Sequence, residues 1–275
     1  MKIVIFGAQG NLGQELFYAL ESLHEVIPLS RFNVDLRDFA QVNALIKNLS
    51  PDLIINAASI NEVQKKCSKK EEELVFQVNA VAVENLAFMA REIGALFVQI
   101  SCSLVLSASK NKSIIAKRQA RDLIGKSKIL AEEQIEKVFK KEKKYLILRT
   151  GLLFGDYGFS VVNKFKRILK SAKKVRVIED VCISLTSTKL LADYLVDLLK
   201  PIKSKKNFVF LNQIEQACFS DKFSYVDLIE ILIRKMGVNL EIKKIKANSE
   251  NLLAGDFSLK NTVEIFDENK LDDFL

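Results

Sequence analysis

The chain has 275 residues, 49% hydrophobic and 28% charged, enough for one large domain or two modest ones with a sizeable core and no covalent staples. Its four cysteines (Cys67, Cys102, Cys182, Cys218) form no CxxC pair and its only histidine is His24, which argues against a disulfide framework or zinc site and excludes a multi-histidine metal centre. The net charge of +8 is concentrated between Lys110 and Arg149, where 13 Lys/Arg stand against 5 Asp/Glu; a solvated helix face and a field attracting a diphosphate are the competing readings, and no aromatic interleaving supports nucleic acid.

The opening run KIVIF (2–6) reads as a buried strand, too short for a signal-peptide core. NLGQELFYALESL (11–23) reads as a helix and EVIPLS (25–30) as a second strand. VNALIKNL (42–49) is an expected helix, DLIINAA (52–58) a third strand, 71–92 a long helix and LFVQIS (96–101) a fourth strand. A helix over about 120–140 and the strand YLILRT (145–150) follow. Continuous apolar strands alternating with helices predict an α/β fold, a Rossmann-type doubly wound parallel sheet with ligands at the carboxyl ends of its strands.

Beyond 155 the pattern loosens. Helices at about 159–172, 187–199 and 225–236, with strands at 175–178, NFVFL (207–211) and LEIKKI (240–245), predict a smaller C-terminal substrate lobe. The expected division is 1–155 for a dinucleotide-binding domain and 156–275 for that lobe, partly interleaved. No stretch approaches the roughly 18 consecutive apolar residues of a bilayer span, so a cytoplasmic protein without a membrane partner is expected.

Chemistry concentrates in GAQGNLG (7–13), directly after the first strand. Gly7, Gly10 and Gly13 permit a tight turn, close backbone approach to a pyrophosphate and tight helix packing, and the helix start at Asn11 and Leu12 favours the anion. The second strand ends in Ser30 and Arg31 with no acid to bind a ribose 2'-hydroxyl, which favours NADP(H) over NAD(H) unless Arg31 merely points into water.

Together with DLRD (35–38), PDLIINAA (51–58), VNA (78–80), IS (100–101), GKSKILAEE (125–133) and LILRTGLLFG (146–155), this loop resembles the extended short-chain dehydrogenase/reductases. Within them the chain is most similar to the dTDP-4-dehydrorhamnose reductase family. The resemblance implies a reduction, dependent on NADPH or NADH, of a 4-keto group on a nucleotide-linked deoxysugar, with a homodimer as the family's assembly. It also implies cofactor contacts at Gly7, Gly10, Gly13, Asp35, Leu36, Asn56, Ala57, Ala58, Asn79 and Lys128.

The catalytic half of the resemblance is broken. The family's tyrosine, four residues before its lysine, falls at Ile124, which has no proton to give. Its Ser-Thr-Asp-Tyr-Val-Phe after the fourth strand is SCSLVL (101–106), so Ser101 and Cys102 stand where a hydroxyl would bind the substrate carbonyl. Cys102 is a candidate replacement acid or simply a small buried side chain. The family's acidic, proline-containing loop is here the basic KNKSIIAKRQARD (110–122). Two functions remain in view: a sugar-nucleotide reductase with impaired or altered catalysis, and a cofactor-binding pseudoenzyme serving as scaffold or regulatory subunit.

Overall fold

A computed structural model describes residues 1–61, 67–140, 142–158, 160–200, 210, 213–219, 222–247, 255–263, 266, 271 and 275. Its first half runs β1 (Lys2–Phe6), α1 (Asn11–Leu20), β2 (Glu25–Leu29), α2 (Phe39–Leu49), β3 (Leu53–Asn56), α3 (Lys69–Phe76), α4 (Ala82–Glu92), β4 (Leu96–Cys102), α5 (Leu123–Phe139) and β5 (Tyr145–Thr150). The second half contributes β6 (Leu152–Phe154), α6 (Val161–Ser171), β7 (Lys174–Ile178), β8 (Val181–Ile183), β9 (Leu185–Ser187) and α7 (Thr188–Leu199). It ends with β10 (Ile214–Ala217), β11 (Phe223–Ser224), α8 (Tyr225–Met236), β12 (Glu241–Ile245) and β13 (Gly255–Phe257).

The central sheet has six strands in the order β10-β5-β4-β3-β1-β2, all parallel. Parallel strands covered on both faces must be apolar on both faces, and Ile3, Val4, Ile5, Leu53, Ile54 and Ile55 are all fully buried. Ile3 and Ile5 pack with Leu12, Leu16 and Leu20 of α1 and Leu191 and Leu195 of α7. Val4 packs on the opposite face with Val42 and Ile46 of α2, Leu86 of α4 and Ile135 of α5. This is the α/β doubly wound architecture predicted from the strand–helix alternation. The strand order reverses between β1 and β3, so the crevice of such a sheet opens above Phe6 and Asn56.

Several details depart from the sequence reading. The expected helix 71–92 is one rod from Lys69 to Glu92 interrupted by a π-helical turn, Gln77–Val81. By length and composition that rod could cross a membrane, but half of its apolar window is buried, as in the core helix of a soluble protein. The expected strand 207–211 lies, apart from Phe210, outside the described residues. The sixth sheet strand is β10, which pairs with β5, so the main sheet draws its edge from beyond residue 155. The expected strands 175–178 and 240–245 appear as β7 and β12, paired with each other, whereas the short strands of the pairings β6–β9 and β11–β8–β13 were not expected, since two or three residues give little periodicity to read.

Candidate cofactor and active site

At Gly7 the backbone turns through φ +80, and a Cβ there would lie 2.5 Å from the Ala58 nitrogen. Only glycine combines that torsion with that approach. The turn is fixed by the Gly7 and Ala8 amides, which donate to the Leu29 carbonyl at 2.9 and 3.0 Å. A Cβ on Gly13 would sit 2.2 Å from the Gly7 carbonyl oxygen, so α1 starts in direct contact with the loop. Gly10 occupies the N-cap and supplies no side chain to it, which leaves the first amides of a ten-residue helix to whatever binds there.

Beside them, Asn11 is buried and neither its carboxamide nitrogen nor its oxygen has a partner among the described residues. Such a group costs stability unless something satisfies it. A cavity of about 300 Å³ opens nearby, lined by Gln9, Gln14, Tyr18, Ser30 and Asn33. Leu12 is buried under the loop as part of the core.

At the end of β2 the Ser30 amide and hydroxyl both donate to Asn33 Oδ1 at 2.8 Å. The Arg31 guanidinium carbon lies 5.2 Å from the Phe32 ring centre, and Arg31 makes no ion pair among the described residues. Asp35 is held by Arg37, whose Nε donates at 3.0 Å and Nη2 at 2.5 Å. Those hydrogen bonds hold the carboxyl below its ordinary pKa. Asp35 thus braces its own turn, and Leu36 packs against the core.

Two asparagines shape the crevice from below. Asn56 donates to Gln99 Oε1 at 2.8 Å and accepts from the Ala58 amide at 3.1 Å, which forms the bend through Ala57 and Ala58. Asn79, turned inward by the π-helical turn, accepts from the Ile60 amide (2.8 Å) and the Ser59 hydroxyl (3.1 Å). It also donates to the Ile60 carbonyl (2.9 Å) and to Ser127 Oγ (3.2 Å). Its carboxamide is thus engaged at both ends inside the protein.

Helix α5 begins at the Asp122 cap, which accepts from the Gly125 amide at 2.8 Å. Ile124 is 6% exposed. Lys128, one turn further on the same face, is also buried and donates to the Ile100 carbonyl at 3.1 Å. Burial lowers its pKa, opposed by nearby Cys102 and Glu132. Burial pushes the Cys102 thiol up to about 11, partly offset by Lys128. A thiol in that range keeps its proton at neutral pH.

Ser101 lies elsewhere. Alternation along β4 puts it on the opposite face from Cys102, and its hydroxyl donates to Glu132 Oε1 at 2.6 Å. Glu132 is fully buried and also accepts from Arg149 Nη2 at 2.7 Å, Arg149 Nε at 3.1 Å and Arg118 Nε at 2.7 Å. Burial alone would raise its pKa, but the two arginines and Ser101 outweigh it and hold the carboxyl below its ordinary value.

This network was missed in the sequence, although an arginine inside the apolar strand YLILRT and a glutamate one turn after Lys128 were both visible. Arg118 fastens the basic loop that replaces the family's acidic one. Besides Glu132, it bonds Glu136 at 2.6 and 2.9 Å, while Arg149 Nη1 reaches the Ile114 carbonyl at 3.3 Å. The loop is further held where the Gln119 amide donates to the Val105 carbonyl and the Ala108 amide to that of Gln119, both at 2.8 Å. It closes on the start of α5, since a Cβ on Gly125 would stand 2.6 Å from Ala120 Cβ and 2.7 Å from the Leu104 carbonyl oxygen. Among the described residues no cluster of three or more His, Cys, Asp or Glu could hold a metal.

Residues 1–246 match the profile of the family described as RmlD substrate binding domain. Among curated relatives, the dTDP-4-dehydrorhamnose reductase of Escherichia coli K12 is 26% identical over 253 residues, 90% of this chain and 83% of that protein. The spore coat polysaccharide biosynthesis protein SpsK of Bacillus subtilis is 28% identical over 200 residues, 72% of this chain and 69% of that one. A solved dTDP-4-dehydrorhamnose reductase from Clostridium acetobutylicum superposes with a TM-score of 0.82 at 25% identity, covering 95% of this chain and 90% of its own. The Bacillus anthracis dTDP-4-dehydrorhamnose reductase, solved in complex with NADP, shares the fold with a TM-score of 0.84 at 20% identity, covering 100% and 93%.

Proposed function

The chain belongs to the RmlD substrate binding domain family, and from that premise we propose an NADP(H)-binding protein of the dTDP-4-dehydrorhamnose reductase type whose proton delivery is altered. The observation that carries the cofactor half is the β1–α1 turn. There a helix N-terminus without a side-chain cap and the unpartnered Asn11 carboxamide face a loop in which no Cβ fits at Gly7 or Gly13. A dinucleotide pyrophosphate satisfies the amides and the helix dipole together. Residues 1–155 form the cofactor half and 156–275 the substrate lobe, with β10 returning to the sheet.

NADP(H), when bound, supplies a hydride for a 4-keto group on a nucleotide-linked sugar. Lys128 would hold the nicotinamide ribose, and Ala57 and Ala58 would wall the crevice. Arg31, next in sequence to Ser30 of the cavity lining, would meet a 2'-phosphate. Replacing it by alanine should weaken NADPH binding roughly 10- to 100-fold, the worth of one charge-assisted hydrogen bond, and leave NADH binding unchanged; fluorescence titration of both cofactors checks this.

The proton is the weak point. Ile124 cannot donate one, and a positioned general acid contributes about 10² to 10⁴ in rate. Cys102, protonated at neutral pH and beside Lys128, is the candidate donor on this chain, while Ser101 is committed to Glu132. The contact of Ala120 and Leu104 with Gly125 favours a second reading, a cofactor-binding scaffold with a closed substrate side. Ile124→Tyr separates the two. In the reductase reading it should raise turnover of dTDP-4-dehydrorhamnose by about 10²-fold or more; no gain in protein that still binds NADPH would favour the scaffold.

A further inference from the structure

The residue that opens α1 is covered from the far half of the chain. Asn11 is only 9% exposed. A Cβ on Gly158 would stand 2.9 Å from the Asn11 amide nitrogen and 3.3 Å from the Gly10 carbonyl carbon, and one on Gly155 would stand 3.2 Å from Asn11 Oδ1. Residues 155–158, GDYG, therefore lie as a strap across the helix N-terminus and its unpartnered carboxamide. A phosphate oxygen bonded to the Asn11 amide would sit roughly 2.9 Å from it, and the Gly158 backbone occupies that space.

The strap is anchored at one end and lightly held at the other. The Gly155 carbonyl accepts from Asn163 Nδ2 at 3.0 Å, and Gly155 presses so closely on Thr188 that a Cβ would lie 1.9 Å from its hydroxyl oxygen. Beyond that anchor, the Tyr157 ring rests on the Tyr18 ring of α1 with centroids 5.1 Å apart. Asp156 and Gly158 are exposed, and no hydrogen bond joins 155–158 to the phosphate loop among the described residues. Gly158 turns at φ +59, a torsion suited to glycine. The closed position also carries a cost. Burial pushes the Glu15 carboxyl of α1 above its ordinary pKa, opposed by the Thr188 hydroxyl at 3.2 Å and reinforced by the charge of Asp156. A pyrophosphate arriving beneath Asp156 would add to that repulsion and favour the lifted strap.

We propose that 155–158 is a gate that must swing off the α1 N-terminus before a dinucleotide binds, with the Tyr157–Tyr18 contact as its latch. The gate rests on the cofactor reading above and adds to it an internal contact that opposes binding. A cover that must open lowers apparent affinity by the fraction of molecules that are open. Weakening the latch therefore tightens binding, whereas damage to a fixed wall of the pocket would weaken it.

The test is stopped-flow mixing of the full chain with NADPH, together with hydrogen exchange of the ligand-free protein. The parent's observed binding rate should level off at high NADPH, where opening becomes limiting. Tyr157→Ala removes an aromatic pair and should raise both that plateau and the NADPH affinity by about 2- to 10-fold. Gly158→Ala, whose Cβ has no room against the Asn11 backbone, should act in the same direction, and Tyr157→Phe, which keeps the ring, should bind as the parent does. Without ligand, the Asn11 amide should exchange faster in Tyr157→Ala. Unchanged or weaker NADPH binding by Tyr157→Ala, against a parent that binds it, would overturn the gate alone. Faster Asn11 exchange with NADPH bound by neither protein would overturn the cofactor reading, and the gate with it.

Discussion

Glu132→Gln should lower the stability of this protein by about 3–5 kcal/mol, because removing one member of a buried ion network leaves its partners charged and unpaired. Glu132 is completely buried and Arg149 is 1% exposed, so water cannot take over the lost contacts. Arg118, more open to solvent, retains Glu136, which leaves Arg149 as the group that suffers. Chemical denaturation of the parent and the variant measures the difference. The double variant Glu132→Leu, Arg149→Met should recover much of the loss, since an apolar replacement of similar volume leaves no orphaned charge there.

The same network sets a pH dependence. The folded Glu132 carboxyl titrates below its ordinary value of 4.5, so its stabilisation is complete above that pH. It is lost as the pH falls from there through the folded value. The stability of Glu132→Gln should therefore lack that part of the parent's pH slope and lie below the parent's by a constant amount above it. A variant whose stability falls in parallel with the parent's across that window would remove Glu132 from the account.

Gly13→Ala carries the second large effect. Its Cβ would lie 2.2 Å from the Gly7 carbonyl oxygen and 2.7 Å from the Ala8 Cα, both backbone, so α1 must shift away from β1. Overpacking of this kind costs about 1–3 kcal/mol, and the displaced amides no longer converge on a pyrophosphate. NADPH affinity should fall by about 100-fold or more, since each charge-assisted hydrogen bond lost is worth roughly 10- to 100-fold. Gly94→Ala is the control, because Gly94 has φ +70 but nothing within 4 Å of its added Cβ. It should cost about 1–2 kcal/mol of stability for the left-handed torsion and leave NADPH binding unchanged.

The doubly wound sheet was legible in the sequence because its signals are local. A glycine turn between a strand and a helix needs particular residues at fixed spacing, and the buried strands show as unbroken apolar runs. What escaped was long-range. Ser101 and Cys102 are neighbours in sequence, yet one bonds Glu132 and the other feels the charge of Lys128, a division set by which face of β4 each occupies. Asn79 was visible, but the π-helical turn that aims it inward was not. Arg118 looked like one more charge in a basic loop until the fold brought Glu132 and Glu136 to it, fourteen and eighteen residues away.

The central claim is that the chain retains the cofactor site of its family without the usual proton donor. It is tested most directly by following NADPH oxidation by the purified protein with dTDP-4-dehydrorhamnose, alongside a titration of NADPH binding. The account predicts bound NADPH and a rate about 10² to 10⁴ below that of a relative carrying the tyrosine. Turnover equal to such a relative would contradict it and require a full-strength proton donor other than position 124.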